Sequence, residues 1–150
     1  MRWLLTLACV LAPAIISAQP VGPDAALRDG LAWKPEHQAI ADKLSTGLVV
    51  GALVGPCLFD RSWRCVVHEG VRVGLAVGVA ELAKHAITRE RPNGRDRKSF
   101  FSEHTAVACA AVATSRLWAI CPSVAYLRVA ADWHWSTDVL VGSVFVAVQW

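Results

Sequence analysis

Charge is scarce in this chain, and uninterrupted apolar segments long enough to cross a membrane are absent after the first twenty residues. Of the 150 residues, 18% are charged and the net charge is +3, whereas an average globular protein has roughly 25% charged residues. The hydrophobic content of 55% excludes a disordered or collagen-like chain. The small net charge, without a zinc-finger or nucleotide-loop pattern, predicts no nucleic-acid partner. The length suits a single domain.

The first residues have the organisation of a secretory signal peptide. Arg2 precedes an apolar run over residues 3–16, and the small residue Ala18 offers a cleavage site. The run is shorter than the roughly 20 residues that a spanning helix needs. We therefore expect residues 1–18 to be a signal peptide, with an uncleaved signal anchor as the alternative. Residues 19–150 would then form one exported domain at the periplasmic face of the inner membrane or in the periplasm.

Four cysteines follow this segment, and none has the spacing of metal ligands. An even number of cysteines in an exported chain permits disulfides. Cys57 and Cys65 lie on either side of an expected loop between helices. Cys109 and Cys121 would be about 18 Å apart if one helix held both, which is too far for a bond. The prediction is a Cys57–Cys65 disulfide.

Proline, glycine and N-capping residues divide the remaining chain into helices. Apolar segments between these breaks give little indication of strands, so the sequence predicts an all-α bundle of five or six helices that can dock on or embed in a bilayer. The expected elements are a polar lead-in over 19–31, helices over 35–55, 66–88, 102–119 and 124–131, and a last helix that begins between 134 and 137 and continues to 149.

Polar residues concentrate in three places. In the first, Lys84 and Arg91 are seven residues apart, so a helix would place both cations on one face, where they could bind an anion such as phosphate. In the second, Ser102 is placed to begin a helix, and His104 in its first turn can supply a proton. Each pattern alone also fits an ordinary helix end.

The third place contains Arg128, His134 and Asp138. His134 and Asp138 are four residues apart, so on a helix the carboxylate can contact the imidazole. Such a contact would hold one ring nitrogen protonated and make the other a better nucleophile. Arg128 can add a third cation. A surface His–Asp pair beside a tryptophan-rich helix end is the alternative interpretation.

Taken together, the motifs Lys-x6-Arg-Pro, Ser-x-His and Arg-x5-His-x3-Asp resemble those of the type 2 phosphatidic acid phosphatase family. That family shares its site with vanadium haloperoxidases and bacterial class A acid phosphatases, and the resemblance covers residues 84–142. It implies a helical phosphatase fold of this type and a site that needs no metal or other cofactor.

The resemblance also implies a role for each matching residue. His134 would be the nucleophile that forms a phosphohistidine, Asp138 would orient it, and His104 would protonate the leaving oxygen and later activate water. The phosphate-binding residues would be Lys84, Arg91, Ser102, Glu103 and Arg128. Glu103 stands where the family has a glycine, and like that glycine it would contribute its backbone N–H.

The expected function is hydrolysis of phosphate monoesters or pyrophosphates, with phosphate-bearing lipids as the substrate class and a membrane as the site of action. Two alternatives remain open. One is a soluble exported acid phosphatase that acts on small phosphate esters. The other is a catalytically decayed membrane or envelope module, which Glu103 and the replacement of a motif serine by Leu127 would favour.

Overall fold

The structure is a computed structural model that describes residues 23–115 and 118–149. Within these ranges no β-strand occurs, although an isolated bridge joins Arg89 to Lys98. The predicted all-α class is therefore confirmed. The expected signal segment, residues 1–18, lies outside the described residues. The described helices are α1 (Pro23–Leu31), α2 (Pro35–Asp60), α3 (Trp63–Ala86), α4 (Glu103–Ser115), α5 (Ile120–Ala130) and α6 (Ser136–Gln149).

Helix α4 occupies the centre of the bundle and packs against α2, α3, α5 and α6. Its buried side chains are small, including Ala106, Ala108 and Ala110, so neighbouring helices can approach closely. Helix α6 packs tightly against the start of α4 at Gly142, where an added Cβ would lie 3.1 Å from the carbonyl oxygen of Ser102. This contact holds the start of α4 beside α6, and both segments carry predicted site residues.

Four predicted boundaries are wrong, and the first is the start of α3, which lies at Trp63 and not at residue 66. Residues 23–31 form α1 instead of a polar lead-in, because Asp24 and Arg28 bind groups at the far end of the chain. Helix α2 continues through Pro56, which removes only one backbone hydrogen bond, and ends at Asp60. The break between α4 and α5 falls after Ser115 and before Ile120, earlier than predicted.

Two disulfides connect consecutive helices. The predicted Cys57–Cys65 bond is present and joins the end of α2 to the start of α3, with 5.5 Å between the Cα atoms. Cys109 and Cys121 are also bonded, with a Cα–Cα distance of 4.6 Å. The prediction that this second pair is too far apart is wrong, because the two cysteines lie on different helices that turn back against each other.

Helices α2 and α3 leave a wide apolar surface exposed. Over residues 35–59, α2 is long and apolar enough to cross a membrane, and only 17% of an 18-residue apolar window within it is buried in the fold. A soluble core helix would be mostly buried, so this helix has an apolar face that the rest of the bundle does not cover. The exposed apolar side chains include Ile40, Leu44, Val54 and Leu58 on α2, and Trp63, Val67, Val71, Leu75 and Leu82 on α3.

Candidate active site

The loop between α3 and α4 brings the first and second motifs together. Lys84 lies in the last turn of α3, but the helix ends at Ala86, so Arg91 does not share a helical face with it as predicted. Instead the loop folds back on itself. The N–H of Ser99 donates to the carbonyl of Arg89 at 2.9 Å, and the N–H of Arg91 donates to the carbonyl of Asp96 at 3.0 Å.

A cavity of about 290 Å³ lies where this loop meets α2, α4 and α5. Six of the eight predicted site residues line it, so the three motifs converge in space. The two exceptions, Ser102 and Asp138, are completely buried behind its wall. The lining residues are Lys84, Arg91, Glu103, His104, Arg128 and His134, which were predicted, and Asp42, Thr46 and Trp133, which were not.

His134 is held by the backbone of the α3–α4 loop. Its Nδ1 lies 2.7 Å from the carbonyl oxygen of Ser99. Because a carbonyl oxygen can only accept a hydrogen bond, Nδ1 must carry the proton and Nε2 must carry the lone pair. Burial, reinforced by the positive charges of Arg128 and Arg91, lowers the pKa of His134 well below its usual value. The imidazole is therefore neutral at neutral pH and keeps a nucleophilic Nε2.

The predicted contact between His134 and Asp138 is not formed. His134 precedes α6, which begins at Ser136, so the two residues do not have helical i,i+4 geometry. The Asp138 carboxylate accepts hydrogen bonds from the hydroxyl of Ser99 and from the backbone N–H of Trp135, the latter at 3.1 Å. Asp138 is therefore connected to His134 through Ser99, whose hydroxyl binds the carboxylate and whose carbonyl binds the imidazole.

Arg89, which sequence analysis did not include in the site, completes this buried network. Its guanidinium is 2.6 Å from both Asp138 and Asp24, and it also donates to the hydroxyl of Thr137. Burial raises the pKa of Asp138, and the positive charge of Arg89 opposes that rise. Asp24 also accepts from the N–H of Thr137 in the first turn of α6, where a negative charge is favourable.

At the start of α4, Ser102 and His104 face different environments. Ser102 is buried, and its hydroxyl accepts from the N–H of Thr105 at 3.4 Å and from the Thr105 hydroxyl at 3.0 Å. It is thus the predicted N-cap, and this position keeps its hydroxyl away from the cavity lining. His104 lines the cavity. Burial, followed by the charge of Arg128, lowers the pKa of His104 to about 4.

The cations of the cavity are each paired with a carboxylate. The Lys84 ammonium lies 2.6 Å from Glu81 and 2.8 Å from Glu103, and its hydrogen bond lowers the pKa of Glu81. Arg128, in the last turn of α5, donates through one terminal nitrogen to Asp42 on α2. Its Nε is buried and has no hydrogen-bond partner among the described residues.

Trp133 packs beneath the guanidinium groups of the site. Arg91, Arg95 and Arg128 lie 4.8, 4.9 and 5.4 Å from the centre of its ring. Cation–π contacts at these distances restrict the orientation of Arg91 and Arg128. Trp133 therefore packs against the arginines of the site.

Asp42 could have been recognised from the sequence as a residue with a buried partner. Between His37 and Asp60, the only charged residues of α2 are Asp42 and Lys43. A carboxylate in such an apolar helix requires a partner, which the structure identifies as Arg128. The sequence gives no comparable indication for Ser99, because Ser99 binds His134 through its backbone carbonyl, which every residue type has.

Within the described residues, no group of three or more His, Cys, Asp or Glu side chains is arranged to hold a metal ion. A scan against protein-family models and searches of curated proteins and of solved structures find no match for this chain. The functional interpretation therefore depends on the motif residues and on their geometry in the cavity.

Proposed function

We propose that this protein is a phosphatase that resembles the type 2 phosphatidic acid phosphatases and hydrolyses phosphate monoesters or pyrophosphates through a phosphohistidine at His134. The observation that carries the proposal is the state of His134. It is a neutral, buried imidazole with its lone pair on Nε2, and it lines the same cavity as Lys84, Arg91 and Arg128. A nucleophile surrounded by cations suits attack on an anionic phosphorus centre.

The reaction would proceed in two displacements. In the first, Nε2 of His134 forms a bond to phosphorus while the bond to the leaving oxygen breaks, and His104 donates a proton to that oxygen. In the second, His104 takes a proton from water, whose oxygen attacks phosphorus and breaks the bond to Nε2. Inorganic phosphate is released and His134 is regenerated. The Ser99 carbonyl stabilises the positive charge that the imidazole acquires in the first displacement.

The three cations would neutralise the phosphate oxygens and can do so without losing their present partners. An ammonium has three N–H donors, and Lys84 uses two of them on Glu81 and Glu103. Arg128 donates to Asp42 and Ser45 through one terminal nitrogen, and the salt bridge between Arg91 and Asp96 uses the Nε of Arg91. Donors fixed before the reaction stabilise the charge that develops in the transition state.

Export and membrane association belong to the same proposal. Two disulfides are typical of an oxidising compartment such as the periplasm. The long, poorly buried apolar helix α2 and the exposed apolar side chains of α3 suit contact with a bilayer. A phosphate-bearing lipid at the periplasmic face of the inner membrane is therefore the favoured substrate class, and a small soluble phosphate ester is the alternative.

The proposal is tested by measuring phosphate release from matched pairs of lipid and soluble phosphate esters, with and without vanadate. We expect release that vanadate inhibits competitively, because vanadate can form a five-coordinate adduct with the same nucleophile and cations. Faster turnover of the lipid member of each pair would support the lipid substrate class, and the reverse would select the soluble alternative. If the folded protein released no phosphate from any of these esters, it would instead be the catalytically decayed membrane or envelope module.

The depressed pKa of His104 predicts an acidic pH optimum for substrates with poor leaving groups. The proton that His104 donates is lost as the pH rises through about 4. Below the second pKa of the ester, about 6, the growing fraction of phosphate dianion offsets this loss, so kcat/KM for an alkyl phosphate should fall by about tenfold per pH unit only above about 6. A bound phosphate raises the pKa of His104, so the corresponding decline in kcat should occur at higher pH.

An activated ester provides the control for this prediction. The leaving group of p-nitrophenyl phosphate needs little protonation. His104→Ala should therefore lower the rate of the first displacement, measured as kcat/KM, far less for this ester than for an alkyl phosphate. The two substrates should differ by about 100-fold in their sensitivity to this substitution. Equal sensitivity, or a kcat/KM for the alkyl phosphate that does not fall between about pH 7 and 9, would contradict the role of His104 as the acid.

A further inference from the structure

The cavity contains carboxylates at a position where a simple phosphate site would have none. Asp42 and Glu103 both line it, and we name them the rim carboxylates. Lys84 and Arg128, the partners of the rim carboxylates, are named the floor cations. Neither rim carboxylate helps to bind a phosphate through its side chain, because two negative charges repel it. Their presence in the lining therefore calls for a different explanation.

Solvent exposure separates the two sets of charges. The floor cations are only 9% and 5% exposed, whereas the side chains of Asp42 and Glu103 are 38% and 32% exposed. The cations thus lie deep in the cavity and the carboxylates lie towards its mouth. A phosphate bound by the cations would direct its ester group outwards, since the alcohol must leave through the mouth. The group next to the phosphate would then pass between Asp42 and Glu103.

The position of the charges along the lining indicates what that group should be. Lys84, Arg91 and Arg128 place positive charge deep in the cavity, and the rim carboxylates place negative charge towards its mouth, so the sign of the charge changes along the lining. A phosphate monoester dianion with an ammonium group beside it has the opposite charges in the same order and complements the lining. Pyrophosphate, with a second anionic group at the mouth, would face the rim carboxylates.

We infer that the preferred substrate is a phosphate monoester whose alcohol carries a protonated amine close to the phosphate, with the phosphate on the floor cations and the amine between the rim carboxylates. The inference rests on the proposed function and narrows its substrate class. It assigns specificity to Asp42, which no motif includes, and to Glu103 at the position where the resembled family has glycine. It also disfavours pyrophosphates among the substrates expected from sequence.

The first test compares kcat/KM for O-phosphoethanolamine with that for its N-acetyl derivative, which lacks the charge, and with that for pyrophosphate. We expect the amine to be preferred by about tenfold over the acetylated ester, since two partly exposed ion pairs would contribute. Pyrophosphate should be the poorest of the three. Hexadecyl phosphate in micelles, with and without an amino group beside the ester carbon, distinguishes a lipid from a soluble source of the same chemistry.

Variants test whether the rim carboxylates cause the preference. Asp42→Asn and Glu103→Gln should each lower the ratio of amine to acetylated ester by about threefold. Glu36→Gln, on an exposed part of α2, should leave the ratio unchanged. If both rim variants instead raised kcat/KM for all three substrates by the same factor, the carboxylates would be mere counter-ions and the inference would be overturned.

Failure of this inference is distinguishable from failure of the proposed function. Phosphate release from every ester, without preference for the amine, would overturn the inference and leave the phosphatase in place. No release from any substrate by the folded wild-type protein would overturn the proposed function and the inference together. The wild-type ratio decides the question even if Asp42→Asn does not fold after Arg128 loses its partner.

Discussion

His134→Ala is expected to abolish turnover, with kcat lowered at least about a thousandfold. The imidazole provides the Nε2 lone pair that forms the covalent intermediate, and no other described side chain in the cavity has a neutral nitrogen held with its lone pair available in this way. His104, the other histidine of the lining, is assigned to proton transfer. Steady-state phosphate release under saturating substrate measures the loss directly.

The control for this variant is His85→Ala. His85 follows Lys84 in the sequence but is exposed, so its removal should leave kcat near the wild-type value. His134 is buried and binds the Ser99 carbonyl, so the alanine variant will lose some stability. His134→Gln retains a donor for that carbonyl and should be as inactive as His134→Ala. If either His134 variant folded and kept wild-type turnover, His134 could not be the nucleophile.

Asp138→Asn is expected to lower the free energy of unfolding more than a typical point substitution does. It should lower kcat less than the loss of a carboxylate in direct contact with the imidazole would. In the native state one carboxylate oxygen accepts from Arg89, and the other accepts from Ser99 and from the N–H of Trp135. An asparagine amide that offers its oxygen to Arg89 must direct its NH2 group at the Trp135 N–H. The free energy of unfolding should fall by about 3 kcal/mol.

The rate effect is limited because the Ser99 carbonyl, not Asp138, fixes the tautomer of His134. Removing a carboxylate that contacts the imidazole directly can lower kcat by about 10⁴-fold. For Asp138→Asn we expect a loss of about 10- to 100-fold, since the position of Ser99 is disturbed but its carbonyl remains. Asp29→Asn, at an exposed carboxylate, is the matched control. A rate loss near 10⁴-fold with unchanged stability would indicate a direct contact that the structure does not have.

The helical class and most elements were predictable because the breakers and caps are local signals. Ser102 is an N-cap in the structure as its position predicted. Helix α1 was missed because it is short, and its stabilising contacts, such as Arg28 with Asp132, connect residues more than 100 positions apart. The break before α5 was misplaced because residues 116–120 contain no proline or glycine. That error also removed Cys109–Cys121 from the predicted disulfides.

The site was predictable in its residue types and less so in its connections. The spacing of the three motifs identified six residues that line one cavity. Sequence separation alone could not show that Asp138 reaches His134 through Ser99, or that Arg89 and Asp24 stabilise Asp138. These contacts depend on how the α3–α4 loop folds against α6. The function of Asp42 likewise depends on the packing of α2 against α5.

The most direct test of the central claim is to identify the phosphorylated residue during turnover. The wild-type protein would be mixed with substrate, quenched in alkaline denaturant, in which phosphohistidine survives, and digested for mass spectrometry. The account predicts one added phosphoryl group on the peptide that contains His134, and its absence from His134→Gln. A phosphoryl group on another residue, or an active enzyme that accumulates none even with an activated ester, would contradict the account.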